Sequence, residues 1–409
     1  MNVETLKKVN QPLNNRRNAY TAIILLGIVS LFGDIVYEGS RGLVPDYLAF
    51  LGASALVVGL VGGAGDLVGY AIRLVSGVIV DATRAYWFFI FLGYGLIVAI
   101  PLLGLSGGLA VAIILVMLER LGKALRQPSR DTILSVVSKD IGSGKAFGLH
   151  ELLDQVGAII GPSIVAGLMF YTSNDYSFTF GFLFIPFLLV LATLAIAYTK
   201  IHSRTLIAPP KAKVSMKNIP KPFYIYAVAV LSNAAGLIPF SLILFKVSLI
   251  VLPLRQDWIV PLVFVLIQGV DAPSAFLSGY AYDKFGMRFL VLPFVLSLFP
   301  PLFAMVDTGL PMLIIASIFF GVVLGMQESI YRAAVSDLAP LSSRGTAYGI
   351  FNAAYGFGLL IGGAVYGVMI SYGLPFISVL FYAVVMQATS IAFLISARRK
   401  QSGTISVVK

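Results

Sequence analysis

The chain has 409 residues, 58% of them hydrophobic and only 11% charged, against roughly 45 to 50% and roughly 25% in ordinary soluble domains. A water-soluble globule is excluded. With no cysteine in the sequence, disulfides, thiolate nucleophiles and Cys-based metal centres are excluded as well, and the net charge of +11 sits largely on short loops and tails, as in a membrane protein rather than a nucleic-acid binder.

Met1 to Ala19 carries Lys7, Lys8, Arg16 and Arg17 ahead of the first apolar run. No small-residue cleavage site follows a short hydrophobic core, so this segment reads as a retained cytoplasmic tail. Apolar runs then fall at about 19–48, 54–80, 85–105, 107–137, 145–171 and 177–199, and again at 222–251, 257–281, 287–306, 309–336, 344–371 and 374–396. Each is long enough to cross a bilayer with some tilt. They are near-continuously apolar, without the alternation of lipid-facing strands, so helices are expected rather than a barrel. The expected fold is an all-α membrane protein of twelve helices: an N-terminal half over 1–199, a basic, proline-containing cytoplasmic linker over 200–221, and a C-terminal half over 222–409. Lys and Arg outside the apolar runs collect on one side of this layout, with Arg255 on the other. That asymmetry places both termini in the cytoplasm and the protein in the cell membrane.

An internal repeat relates the halves. Gly77 and Asp81 recur as Gly279 and Asp283, 202 residues on, and Gly148, Gly157 and Gly161 recur as Gly349, Gly358 and Gly362, 201 residues on. Parallel six-helix repeats are one way transporters are built, with the site between halves.

Three patterns resemble the major facilitator superfamily over essentially the whole chain. After the eighth helix, Gly279, Asp283, Lys284, Gly286 and Arg288 are similar to its loop signature; after the second, Gly77, Asp81 and a displaced Arg84 remain. Gly148, Gly157, Gly161 and Pro162 on the fifth helix resemble its antiporter pattern, though Val165 and Ala166 replace the final glycine pair. Arg120 on the fourth helix is the best match to an arginine linked to coupling in proton-driven members. The run from Glu119 to Asp131, with Gly148 to Asp154, looks more like a prokaryotic subgroup of drug exporters. The resemblance implies alternating access, with loops at Asp81 and Asp283 as cytoplasmic latches and Arg73, Arg126 and Arg130 near that gate.

Charges inside the apolar runs supply the candidate site, because an ionised group at mid-membrane costs about 2.5 to 3.5 kcal/mol even on the gentler scale. Asp34, Glu38 and Arg41 share one face of the first helix, and Glu119, Lys123, Arg126 and Arg130 one stripe of the fourth. At the helical rise, Asp34, Asp66, Arg120 and Lys123 lie roughly 20 to 26 Å from the cytoplasmic end, and Arg73, Arg126 and Asp154 roughly 12 to 17 Å. Opposite charges thus share levels, in a midplane cluster with Glu38 and Glu119 just above it and in a cytoplasmic-side cluster. Asp34, Glu38, Glu119, Asp154 and Asp66, with Arg120, are the proton-coupling candidates. The competing role for these charges, and for Asp131, His150 and Glu151, is to fix helix register as ion pairs. Arg41, Lys123, Lys246, Gln268, Asp271, Gln327, Glu328, Arg332, Asn352 and Tyr355 are the substrate-site candidates.

The sequence therefore predicts a secondary transporter, not an enzyme: a monomer in the lipid bilayer that exchanges protons for a small organic molecule on its way out. No nucleotide-binding loop is present, so the expected drive is the proton gradient, with no cofactor, no metal and no nucleic-acid partner. An organic-anion or metal-ion transporter is the nearest alternative, and a lipid scramblase or intramembrane enzyme a more distant one.

Overall fold

A computed structural model describes residues 16–138, 142–201, 219–306, 309–340 and 343–407. The N-terminal tail and most of the expected linker lie outside the described residues. Among the described residues twelve helical segments follow one another: α1 (Arg16–Phe50), α2 (Ala55–Thr83), α3 (Tyr86–Leu105), α4 (Leu109–Val137), α5 (Ser143–Tyr171), α6 (Tyr176–Ile201), α7 (Lys221–Leu254), α8 (Ile259–Phe285), α9 (Val291–Met305), α10 (Leu310–Leu338), α11 (Arg344–Ser371) and α12 (Phe376–Val407). Among the described residues ten helices are long and apolar enough to cross a membrane by length and composition. The two others differ for visible reasons. Along α4 run Glu119, Arg120, Lys123, Arg126, Arg130 and Asp131, whereas α9 is a pair of short helices, Val291–Leu296 and Phe299–Met305, the second opening on Pro300 and Pro301.

An even number of crossings puts residues 16 and 407 on one face, the terminal face; the opposite one is the far face. Within each half, glycines let the fifth helix of the set lie against the first. A Cβ on Gly157 would meet Leu31 O at 2.6 Å, and one on Gly161 would lie 3.0 Å from Gly39 N. In the second half Gly358 faces Leu231 O at 2.6 Å, and Gly362 faces the carbonyls of Ala235 and Leu237 at 3.0 Å. The repeat in the sequence is thus a repeated close approach of backbones, the arrangement that small residues permit between membrane helices. Gly148 does not share it: nothing lies within 4 Å of a Cβ there.

α7 is broken in the middle, because Pro239 has no N–H to continue the ladder. Its first part ends at Gly236 and its second begins at Phe240. The carbonyls freed by the break are taken by tyrosines of neighbouring helices, Tyr366 on Gly236 O at 2.7 Å and Tyr382 on Ala235 O at 2.9 Å. In a membrane interior such groups must find partners within the protein.

Between halves, α2 and α11 run antiparallel and touch at Leu56 with Gly367, Gly59 with Gly363, Gly63 with Leu360 and Leu67 with Gly356. The seam begins at the far face, where Leu56 N donates to Ser371 Oγ at 2.9 Å, and reaches Tyr70 packed edge-on against Tyr355. The other hydrogen bonds described between halves also lie at the far face: Asn174 to Arg255 O at 2.8 Å, Tyr176 to Asp257 at 3.2 Å, and Ser248 to Asp46.

Candidate functional site between the halves

Three helices of the first half carry the charge. On α1, Ser30, Asp34, Tyr37, Glu38 and Arg41 recur at helical spacing and point across to α2 and α4. Glu38 lies between two cations, Arg41 at 3.5 Å and Lys123 at 3.8 Å. Arg41 also reaches Asp66 on α2 at 3.4 Å. The Lys123 ammonium sits 3.7 Å from the centre of the Tyr37 ring, whose hydroxyl accepts from Arg120. Arg41 spans the halves, its guanidinium 4.6 Å above the Phe240 ring of α7. One Glu38 oxygen, Oε2, is buried with no hydrogen-bond partner. Among the described residues Asp34 has no ion pair, yet Lys123, Arg130, Glu38 and Asp154 all act on it electrostatically.

A second cluster lies nearer the terminal face. Arg130 reaches Asp154 at 3.6 Å, Asp131 at 3.0 Å and Ser30 Oγ at 3.0 Å, and His150 Nδ1 lies 3.4 Å from Asp154. These groups join α1, α4 and α5 within one half.

Glu119 is taken up by arginines of its own helix. It pairs with Arg126 at 3.5 Å, and Arg126 in turn donates to Gly93 O and covers the Tyr94 ring of α3. Both are almost fully buried, at 2% and 3% exposure. Arg120 lies 3.9 Å from Glu119 on its other side. The two turns that separate Glu119 from Arg126 are spanned by the arginine's length, so residues assigned to different depths form one pair on the flank facing α3.

Two pockets open next to the Glu38 cluster. The first is lined by Arg41, Asp66 and Arg120 of the first half and by Phe240 and Ser241 of α7, with apolar walls from Val58, Val61 and Val116. The second is lined by Tyr70, Gln327, Glu328, Arg332, Phe351, Asn352 and Tyr355. Asp66 and Tyr70 are one turn apart on α2, so the pockets adjoin. A π-helical turn over Gln327–Tyr331 in α10 brings Gln327 and Glu328 to the second pocket, the kind of local irregularity often found at functional sites. Five expected substrate-site residues, Gln327, Glu328, Arg332, Asn352 and Tyr355, meet here. Lys123 belongs to the Glu38 cluster instead, and Lys246 and Gln268 line neither pocket. Asp271 is buried on α8, with Oδ1 unpartnered, in electrostatic reach of Glu328, Glu38, Glu151 and Arg41.

The expected gate residues are scattered. Asp283, Lys284 and Arg288 are exposed at the end of α8; the bond described there is from the neighbouring Tyr282 to Asp337 of α10 at 2.8 Å. Gly286 is required by its backbone, with φ of +59° after the last turn. Gly279 lies against Ser329, whereas Gly77 touches only Pro128. Arg84 closes α2 in a left-handed conformation, Arg73 covers the Tyr70 ring, and Pro162 lies inside α5. The Asp81 side chain lies outside the described residues. Sequence reasoning missed Tyr37 and Tyr70, which lacked charge, and Asp46, Tyr176 and Asp257 at the far face. Asp46 was detectable as a fourth charge in the first apolar run. Among the described residues, no group of three or more His, Asp or Glu is arranged to hold a metal ion.

The sequence matches the family model of the Major Facilitator Superfamily over residues 23–363 and 256–408. It is 36% identical to an uncharacterized protein of Mycobacterium tuberculosis, covering 93% of this chain and 94% of that one. It is 27% identical to an uncharacterized MFS-type transporter of Methanocaldococcus jannaschii, over 86% and 88% of the respective chains. Among solved structures, the nucleoside transporter NupG superposes with a TM-score of 0.70 at 13% identity, covering 91% of this chain and 98% of that one. The peptide transporter POT in complex with sulfate gives 0.65 at 14% identity, over 92% and 94%.

Proposed function

The chain belongs to the major facilitator superfamily and is a membrane transporter, not an enzyme; on that footing we propose that it exports a small organic molecule in exchange for protons. The terminal face is then cytoplasmic. Substrate enters between the halves and rests in the pocket of Tyr70, Gln327, Glu328, Arg332, Phe351, Asn352 and Tyr355. Aromatic rings there suit a planar or apolar body, amides bind its polar edges, and the opposite charges of Glu328 and Arg332 suit an ionic group of either sign.

The observation that carries the coupling is Arg41, which holds Glu38 and Asp66 in one half while stacking on Phe240 of the other. Protonating Glu38 removes one of the anions that hold Arg41 and Lys123. The freed cations turn toward Asp34 and Asp66 and change the contact with Phe240, so the protonation state bears on how the halves meet. A ligand or proton can shift such an equilibrium only through a difference of this kind between states. Glu119, committed to Arg126 against α3, supports α4 and leaves the proton to Glu38 and Asp34.

Proteoliposomes with a pH gradient and a panel of compounds test this. Compound-dependent proton movement is expected. Glu38→Gln and Asp34→Asn should lose pH-driven flux while keeping exchange down equal gradients, because exchange needs no net change in protonation. Retention of pH-driven flux by both variants would remove these two carboxylates from the mechanism.

A further inference from the structure

At the far face, roughly 12 Å along α1 from Glu38, two carboxyl groups from opposite halves meet on one tyrosine. Tyr176 Oη lies 2.8 Å from Asp46 Oδ2 and 3.2 Å from Asp257 Oδ2. Ser248 of α7 donates to the other oxygen of Asp46. Asp46 is 0% and Asp257 4% exposed, and no ion pair is described for either. The groups facing them are few. Asp46 is faced by Ser248, Tyr176 and Asp257; Asp257 by Tyr176 and, at longer range, Arg255. Tyr47 of α1 packs its ring on Tyr176 and bonds to Leu103 O and Ser106, and Asp175 is taken up capping α6.

The count of hydrogens decides what this arrangement holds. A tyrosine hydroxyl has one hydrogen and can give it to one carboxylate only. If it goes to Asp46, the contact with Asp257 is a hydrogen bond only when Asp257 carries a proton and donates it to the Tyr176 oxygen. With both carboxyls ionised, two buried anions would face each other with no cation paired to them, which burial makes strongly unfavourable. The Asp257 carboxyl, in the loop between α7 and α8, is raised above the ordinary range by burial, against the opposing effects of the Tyr176 bond and of Arg255.

We propose that Asp46, Tyr176 and Asp257 form a proton-binding site whose occupancy holds the far face closed. The halves come together there with one proton on the carboxyl pair, and when the pair ionises the two anions part. A proton from the far side would be taken up at this site before it reaches Glu38. Its place in transport rests on the proton-coupled reading above, whereas the binding of a proton at the closed gate stands separately.

The full-length protein, free of cysteine, allows a direct test. Ser173→Cys in the loop before α6 and Leu254→Cys at the end of α7 put spin labels on exposed positions either side of the gate, and pulsed EPR in lipid nanodiscs reads their separation from acid to alkaline buffer. The ratio of closed to open populations should fall by up to about tenfold per pH unit through the titration, the limit for one linked proton. Asp257→Asn, whose amide can donate to Tyr176 as the protonated acid does, and Asp46→Asn should each make the gate insensitive to pH. If neither amide variant folds, Ser248→Ala should move the midpoint to higher pH, since it removes a donor to the ionised form. A parent gate that does not respond to pH, amide variants that respond as the parent does, or an unmoved midpoint in Ser248→Ala would each overturn the proposal. Flux measurements separate it from the broader reading: a titrating gate without proton-driven flux leaves this site and removes coupled export, and proton-driven flux with an insensitive gate does the reverse.

Discussion

Gly59 and Gly363 meet backbone to backbone between the two halves, so closely that a Cβ built on either would run into the carbonyl of the other. Neither backbone can move aside without moving its helix. Gly59→Leu or Gly363→Leu should therefore force α2 from α11 and open the far face. Overpacking of this kind costs about 1 to 3 kcal/mol, enough to shift the closed population by roughly 5- to 150-fold. Labels at 173 and 254 should move apart and transport should fall by about tenfold or more. An unchanged distance distribution would show that the seam yields elsewhere.

The glycines of α5 separate a packing role from a merely shared pattern. Gly157→Ala places a methyl group at 2.6 Å from Leu31 O and should destabilise the first half by about 1 to 3 kcal/mol. Gly148→Ala enters open space and should be neutral or slightly stabilising, since alanine is the better helix former by about 1 kcal/mol. Thermal melts in one detergent compare the two directly. Equal losses would mean that Gly148 has a contact in another state of the protein.

How far the sequence could be read follows from what each signal measures. Hydropathy measures transfer to lipid, and by that measure ten of the twelve helices qualify among the described residues, the charged α4 and the short α9 falling outside it. It is blind to hydrogen bonding within a helix, so the break at Pro239 and the π-helical turn at Gln327 went unread. Periodicity fixes where a Cβ points, which is why Asp34, Glu38 and Arg41 were rightly placed on one face. It does not fix where a long side chain ends, and so the α4 stripe divides: Lys123 reaches Glu38, while Arg126 reaches back to Glu119 on the α3 flank. Contacts between halves are set by pairs of distant segments. Nothing local to Asp46 announces Tyr176 or Asp257, and nothing at Gly59 announces Gly363.

The Glu119–Arg126 pair gives a quantitative check on its supporting role. Removing one partner leaves an uncompensated buried charge, so Glu119→Gln and Arg126→Met should each cost about 3 to 5 kcal/mol. The double variant should recover most of that loss, because both charges leave together. A double-mutant cycle on unfolding free energies measures the coupling. Additive losses would mean that the two groups act on different partners.

Asp257 also gives a stability signature. Its folded-state carboxyl binds a proton more readily than the unfolded chain does, so the group favours the folded state fully below the unfolded pKa and loses that contribution as pH rises through its folded value. Asp257→Asn behaves like the protonated acid at every pH. Its melting temperature should match the parent in acid, exceed it increasingly as pH rises through the folded value, and keep a constant margin above that. A parent that gains on the variant as pH rises would reverse the sign and deny the raised carboxyl.

The last prediction concerns a buried polar chain that ends in the proposed substrate pocket. Tyr355 donates to Gln327 Oε1 at 2.7 Å, and Gln327 donates to Asn233 Oδ1 at 3.2 Å. Tyr331 donates to the same oxygen at 2.7 Å, while the Asn233 amide nitrogen reaches Gln387 Oε1 of α12 at 2.7 Å. Asn233 is thus the hub on α7 and is fully buried. Asn233→Leu strands the Tyr331 hydroxyl and the Gln327 amide nitrogen and takes the shorter donor from Gln387 Oε1, and at about 1 to 3 kcal/mol for each stranded group the second half should become markedly less stable. Tyr355→Phe removes only the outermost link. Gln327 keeps Asn233, so the cost to folding should stay near 0.5 to 1.5 kcal/mol, about the net worth of one hydrogen bond. Yet the lost hydroxyl holds Gln327 in position at the pocket wall, and substrate affinity should weaken by about tenfold with little change in melting temperature. Equal affinity in Tyr355→Phe and the parent, measured by titration against a transported compound, would place the substrate away from this pocket.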